Sequence, residues 1–399
     1  MKLKVKISTL MASDKSPLGS VEDRLVRIPQ ELRANLGLET GRFLSLPDKN
    51  GGYINLQIVR AYQEDRKKNS MSAYISKSTY DLLEISKIML SGIKPVDDIL
   101  IGCDPEFFLI NANTKNIISA SHFFPHYGDV GSDVGLAEVR PRPALKEKEL
   151  SNNIHMLLKE AHNHINNRIS HRKQPIKMVA ASCINGSAAG FHIHFGLPAH
   201  LLLRQVDPTR NFMIDVLDYY IGISSILPEG SEDFRRRSAF YGRYGKPGDH
   251  RHDLLTLEYR VPGGHLLRHP VLSSGLIAIS IVVMKDLLSR MKMYSDNFER
   301  PDMFREYNDL RNMYPRLPDK EKIYAAITSP NINAASEYAD EILEDLIRMT
   351  GFDENRYAIA DYFSYFVDIS NGKNRYNSDI ETNWRLRENE GQQRQMAVL

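Results

Sequence analysis

Gly102-Cys103-Asp104-Pro105-Glu106-Phe107-Phe108-Leu109-Ile110 places two carboxylates two residues apart at the head of an apolar run. Read as a β-strand, period-two alternation sets Asp104 and Glu106 on one face. Two carboxylates on one face repel unless positive charge lies between them. A hard cation such as Mg²⁺ supplies it, and Mg²⁺ usually arrives with phosphates. The ordinary alternative is a pair of strand-edge acids met by solvent or arginine.

Outward from this stretch, the bulk composition is that of a globular chain. Its 399 residues suffice for two or three domains, with 42% hydrophobic and 26% charged residues. A net charge of +2 gives no general attraction to nucleic acid, so any positive field is local. Two cysteines, Cys103 and Cys183, are too few for a disulfide framework or a cysteine-rich zinc cluster and read as buried thiols. The start, MKLKVKISTLMASDK, reads as a strand, not a signal peptide. The longest apolar stretch, Gly275 to Met284, reads as too short to span a bilayer. The expectation is a soluble, cytoplasmic protein with no membrane partner.

Residues 1–95 read as a small β-rich module with a connector. Val5, Ile7 and Leu10 suggest a strand, Leu25 to Arg33 a strand entering a short helix at Pro29, and Asn50-Gly51-Gly52 a hairpin turn into Tyr53–Val59. The order of strand, Ile-Pro, short helix and Leu-Gly-Leu resembles small β-barrels of the AbrB-like or double-psi type, which implies a binding or oligomerisation module. Residues 75–94 read as a helical connector. From 96 to 295, strands are expected near 105–110, 116–120, 134–140, 177–184, 190–196 and 254–261. Helices are expected at 147–169, 209–226 and 268–292, the first with Leu150, Ile154, Leu157, Leu158, Ala161 and Ile165 at helical spacing. Residues 296–399 read as a helical extension whose last 25 residues are polar and loose.

Three more segments put ionisable residues on strands. In Gly131-Ser-Asp133-Val-Gly135-Leu-Ala-Glu138-Val-Arg140, Glu138 and Arg140 share a face. They form a plain ion pair, or a metal ligand beside a phosphate- or carboxylate-binding guanidinium. In Gly190-Phe191-His192-Ile193-His194-Phe195-Gly196, both imidazoles point one way, a spacing that zinc hydrolases also use. Residues 235–260 carry Arg235-Arg236-Arg237, Arg243, Lys246, Arg251 and Arg260, with Asp249 and Asp253 the only acids before Glu258. This cationic stretch with its glycines suits a triphosphate, with a nucleic-acid patch as the competing reading. There is no Gly-x-x-x-x-Gly-Lys-Ser/Thr loop, no Gly-x-Gly-x-x-Gly turn and no Gly-x-Ser-x-Gly elbow.

Gly-x-Asp-Pro-Glu-Phe-Phe-Leu, Gly-x-x-Glu, Gly-x-His-x-His, an arginine-rich loop and Glu-x-Arg-x-Pro follow one another in that order. The series, over about residues 98–265, resembles the glutamine synthetase superfamily and, within it, the phage-type carboxylate–amine ligases or amidoligases. The resemblance implies an α+β fold, a curved antiparallel sheet backed by helices. It implies ATP with Mg²⁺ or Mn²⁺, transfer of the γ-phosphate to a carboxylate, and displacement by an amine. Carried over by motif, Asp104, Glu106, Glu138, His192 and Glu258 would hold metal, His194 would lie nearer the substrate, and Arg237, Arg243, Arg251 and Arg260 would bind phosphate. Arg140 joins the nucleotide-binding set. A second acid upstream of Glu138 is expected, with Asp133 in that place and Asp129 the alternative. No counterpart of an ammonium-site loop is visible, which favours a larger amine, so small-molecule or peptide substrates are expected, with a homo-oligomer. A phage origin would place it in the host cytoplasm.

The rival readings are a phosphotransferase on the same fold, a metal-dependent hydrolase using His192 and His194, and a DNA-binding or structural protein acting through residues 1–95.

Overall fold

The computed structural model describes residues 4–7, 25–36, 38, 43–47, 49, 53–61, 72–83, 95–96, 99–169, 175–197, 208–238, 244–252, 256–294 and 311–387. Six short strands near the N-terminus form one mixed sheet. They are β1 (Lys4–Ile7), β2 (Leu25–Ile28), β3 (Phe43–Pro47), β4 (Tyr53–Arg60), β5 (Ser72–Ile75) and β6 (Pro95–Val96), in the order β1-β5-β2-β4-β3-β6. Alternation puts Leu44 and Leu46 of β3, and Leu56 and Ile58 of β4, on one face, where they join Val26, Ile28 and Ile75 in a core of their own. Helix α1 (Gln30–Leu36) follows Pro29 as expected. The hairpin turn at 50–52 lies outside the described residues, though β3 and β4 pair antiparallel around it. The connector is corrected. Residues 72–75 are strand, paired with β1 and β2, and among the described residues of the connector α2 (Lys77–Leu82) is the helical part, started by the Ser76 hydroxyl accepting from the Thr79 N–H. Residues 84–94 lie outside the described set.

The second sheet has eight strands, all paired antiparallel. Its strands are β7 (Leu100–Asn111), β8 (Ile117–Ile118), β9 (Val130–Asp133), β10 (Leu136–Val139), β11 (Ile176–Val179), β14 (Phe191–Gly196), β15 (His250–His252) and β16 (Thr256–Tyr259). Between β11 and β14, β12 (Cys183–Ile184) and β13 (Ser187–Ala188) make a separate hairpin. The path runs β15-β16-β14-β7-β10-β9, with β8 and β11 on the far half of β7. Cys103, Phe107 and Leu109 of β7 turn into the core with Phe191, Ile193 and Phe195 of β14. Helix α3 (Glu147–Ile169) brings Leu150, Ile154, Leu158, Ala161 and Ile165 to the same core, the stripe read from its sequence.

Helix α4 (Pro208–Leu217) continues through a π-helical segment, Asp218–Gly222, into a short α-helical turn, Ile223–Ile226. Gly222 permits close approach to β16, since a methyl there would lie 2.6 Å from the Tyr259 Oη. That hydroxyl donates to Asp218 Oδ1 at 2.7 Å, with both side chains buried. Burial pushes the Asp218 carboxyl from 3.8 up to about 7, against the pull of the Tyr259 hydrogen bond. The folded state thus keeps a proton that the unfolded chain releases. Its stabilising effect is full below the unfolded value and is lost as pH rises through about 7. Between those limits wild type is expected to lose about 4 kcal/mol relative to Asp218→Asn, in which the amide oxygen still accepts from Tyr259. Urea unfolding of the two proteins from pH 4 to pH 8 measures the difference; parallel curves would refute the assignment.

Among the described residues, four longer helices follow, α5 (Pro270–Tyr294), α6 (Lys320–Thr328), α7 (Ala339–Arg348) and α8 (Phe352–Ser370), with shorter turns at Asn333–Ser336 and Ile380–Asn383. The reading of Gly275–Met284 as merely a short apolar stretch is corrected. It lies inside α5, whose segment Pro270–Arg290 is long and apolar enough to cross a membrane by length and composition. That segment's most apolar stretch is 78% buried inside the protein, and Gly275 sits against the Tyr362 ring of α8, as in a core helix. Ile323, Ile342, Leu346, Ile359 and Phe363 belong to the core that contains Phe107 and Ile193. Among the described residues the C-terminal helices have no core of their own. The expectation of a loose end is also corrected for residues 375–387. Trp384 is buried with its indole N–H on the Leu267 carbonyl at 2.8 Å, and Asp379 bridges to Val179.

Candidate active site

Strand register builds the site. Asp104 lies opposite His192, Glu106 opposite Glu138, His194 opposite Glu258, and Glu258 opposite Arg251. Directly opposed residues share a face, so acids and imidazoles from β7, β10, β14 and β16 come together while their neighbours fill the core. Asp133, opposite Leu136, projects on the face of Glu138.

The imidazole of His192 is 2% exposed at the centre of this face. Its Nδ1 lies 3.1 Å from Asp104 Oδ1 and 3.6 Å from Glu258 Oε1. His194 Nε2 lies 3.3 Å from Asp104 Oδ2. Burial opposes ionisation of Asp104, yet His194 and His192 outweigh it and hold its carboxyl well below the usual range. Burial lowers the affinity of His192 for a proton, but Asp104 prevails and raises it. Glu106 accepts the Gly190 N–H at 2.6 Å, and burial still pushes its carboxyl up despite the help of His192. Burial, then the charge of Asp104, push Glu138 up to about 9 against its ion pair with Arg140. Burial is thus the main reason Glu106 and Glu138 resist ionisation on this face.

Asp104, His192 and Glu258 each offer a ligand atom, all within 4.8 Å of one another. The donor set fits a divalent cation. One Nδ1–H can satisfy only one of the two carboxylates that converge on it, and the oxygen-rich mixture suits Mg²⁺ or Mn²⁺. On the far side of the ring His192 Nε2 is buried without a hydrogen-bond partner among the described residues, and a methyl on Gly190 would overlap it.

Arginines rim the acids. Arg251 grips Glu258 with two nitrogens, at 2.7 and 2.6 Å, while remaining 60% exposed. Arg260 Nε lies 3.2 Å from Glu258 Oε1, and Arg140 binds Glu138 and donates to the Gly128 carbonyl at 2.9 Å. Of the arginines expected at the phosphates, Arg140, Arg251 and Arg260 are thus at the site, and Arg243 lies outside the described residues. Arg237 is corrected. Its guanidinium is buried in an ion pair with Glu229 and reaches the Ser329 carbonyl, away from the acid face. Its neighbour Arg236 takes that side instead. It is buried, donates to the Val261 and Arg260 carbonyls at 2.7 and 2.9 Å, and lends its charge to Glu106. The run of three arginines signalled a cation here but not which one. Tyr244, also overlooked, packs against Arg260, Arg236 and His192.

No curated protein matches the chain. Among solved structures, the complex of the prokaryotic ubiquitin-like protein Pup with its ligase PafA is similar at 10% identity, covering 76% of this chain and 69% of that one, with a TM-score of 0.44. A bifunctional glutathione synthetase from Pasteurella multocida is similar at 11% identity over 67% of this chain and 52% of that one, TM-score 0.29. A glutamine synthase homolog is similar at 12% identity over 88% of this chain and 87% of that one, TM-score 0.31. A family model described as phage phiEco32-like COOH·NH2 ligase, type 2, matches residues 101–386, which take in every strand of the acid face and the helices that share its core. The chain belongs to this family of carboxylate–amine ligases, enzymes that form amide bonds.

Proposed function

We propose that the protein joins a carboxylate to an amine at the expense of ATP, through an acyl phosphate. A carboxylate is a poor acyl donor because its leaving group would be oxide. In the first step a substrate carboxylate oxygen bonds to the γ-phosphorus while the bond to ADP breaks. In the second the amine nitrogen bonds to the acyl carbon, phosphate leaves, and the nitrogen gives up a proton.

Asp104, His192 and Glu258 would hold one divalent cation, and Glu106, Glu138 and Asp133 a second. When bound, such ions neutralise the phosphoryl oxygens. Arg140, Arg251 and Arg260 now rest on the acids, from which they can turn to the polyphosphate, and Arg260 is assigned to the transferring group as well. His194, half-buried at the margin of the face, is assigned to the substrate side, where it orients the carboxylate. A buried face limits water, which would hydrolyse the acyl phosphate.

The convergence of acids from four strands beside buried imidazoles carries this reading. The N-terminal sheet, with its separate core, is proposed to be a distinct module, and the substrates are proposed to be small molecules or peptides. Incubation with MgATP across carboxylate and amine pairs is expected to yield ADP, phosphate and an amide. ADP with a stable phosphorylated product and no amide would replace the ligase reaction with phosphotransfer, and no ADP from any pair would reject ATP dependence.

A further inference from the structure

We propose that Tyr244 is a positioning residue of this site, holding the Arg260 guanidinium over the acid face; the inference rests on the assignment of Arg260 to the polyphosphate. The ring centroid of Tyr244 lies 4.2 Å from Arg260 Cζ, 5.4 Å from Arg236 Cζ and 5.5 Å from the His192 ring centroid. Two guanidinium groups and one imidazole thus meet one aromatic ring. A π-face attracts a guanidinium most strongly where water is thinned out, and this ring is half-buried.

The backbone around the ring is tied down. The Gly245 N–H donates to Asp249 Oδ2 at 2.8 Å, and the Asp249 carbonyl accepts the Arg260 N–H at 2.9 Å. Gly245 takes a φ of +71°, and a methyl there would overlap the guanidinium of Arg236. Only glycine lets the chain deliver Tyr244 this close to both arginines.

The two arginines differ in what else holds them. Arg236 gives both terminal nitrogens to backbone carbonyls and is fixed without the ring. Arg260 is held more loosely, at 3.2 Å from Glu258 and 3.7 Å from Asp249. Both distances are long beside the close bidentate grip of Arg251 on the same Glu258. Tyr244 is therefore what sets the plane of Arg260, through its ring and through the hydrogen bond its hydroxyl shares with that guanidinium. Without it the guanidinium can collapse onto Glu258 and compete with a phosphate instead of receiving one.

The test uses full-length wild type, Tyr244→Phe, Tyr244→Leu, Arg260→Ala and the Tyr244→Leu/Arg260→Ala double variant. Calorimetry measures affinity for AMP-PNP with Mg²⁺, and urea midpoints without nucleotide report folding. Tyr244→Leu is expected to weaken binding about tenfold, the scale of one desolvated cation–π contact. Tyr244→Phe, which keeps the ring and loses the hydroxyl's hydrogen bond with Arg260, is expected to recover part of that loss. In the Arg260→Ala background Tyr244→Leu is expected to add little, because the group it positions has gone. A leucine variant that binds like wild type, a phenylalanine variant as weak as leucine, or losses that multiply in the double variant would overturn the proposal. Should the leucine variant not fold, Tyr244→Met takes its place in the same cycle. A wild type that binds no nucleotide sinks the ATP reading and this inference together, whereas wild-type binding with an insensitive ring sinks this inference alone.

Discussion

Glu106→Gln is expected to lower ligase turnover about a thousandfold while leaving the fold intact, the scale of losing one electrostatic stabiliser from a water-poor site. The separation of the two effects follows from where this carboxyl sits. Glu106 is 3% exposed, opposite Glu138 in the sheet, and burial raises its affinity for a proton. A buried carboxyl raised in this way stabilises the fold only while protonated, and that contribution is lost as pH rises through its folded value. A neutral amide of the same shape escapes that loss and can still accept the Gly190 N–H. The variant should therefore unfold at a urea concentration no lower than wild type at pH 7 and above, and yet be inactive. Turnover from ADP release and unfolding by urea, on the same preparations, decide it. Wild-type turnover would remove Glu106 from the reaction, and a much lower midpoint would make it a structural residue instead.

Arg237→Met is expected to do the reverse and destabilise the protein by about 3–5 kcal/mol, the usual result of stranding a buried charge. The stranded partner is Glu229, which is 4% exposed and whose carboxyl burial already pushes up against the pull of Arg237. Adding Glu229→Gln should restore most of the loss, because it removes the unpaired charge. Nucleotide affinity of the folded variant should persist, since the guanidinium does not face the acids. Unfolding free energies for the two single variants and the double variant test the coupling. A variant of normal stability with weakened nucleotide binding would return Arg237 to the phosphate role first read from its sequence.

That reversal shows where sequence was a sufficient guide. β7, β14 and α3 were legible because their periods are two and 3.6, and the period alone sets Asp104 with Glu106, and His192 with His194, on one face of their own strands, while which residue opposes which is set by strand pairing. The carboxylates were legible as a group because each lies inside a short motif that reads as a strand. Arg235, Arg236 and Arg237 occupy successive positions on one short helical turn, Arg235–Ser238. Successive helical residues point about 100° apart, so the choice among them depends on how the turn docks, which no local pattern records. β5 was hidden for a related reason. Ser72-Ala73-Tyr74-Ile75 has little strand character of its own and gains it by pairing between β1 and β2. The π-helical segment at Asp218 and the docking of Trp384 are likewise settled by distant partners, Tyr259 and Leu267.

The length of β7 has a consequence for how such a chain can change. Along its twelve residues it pairs with β14, β10, β11 and β8 in turn. Adding or deleting a single residue between 102 and 110 would exchange oil for acid on both sides of the sheet at once. Size variation among descendants of this sequence is thereby steered into the turn at 112–116 and similar loops, while this one stretch must keep its count.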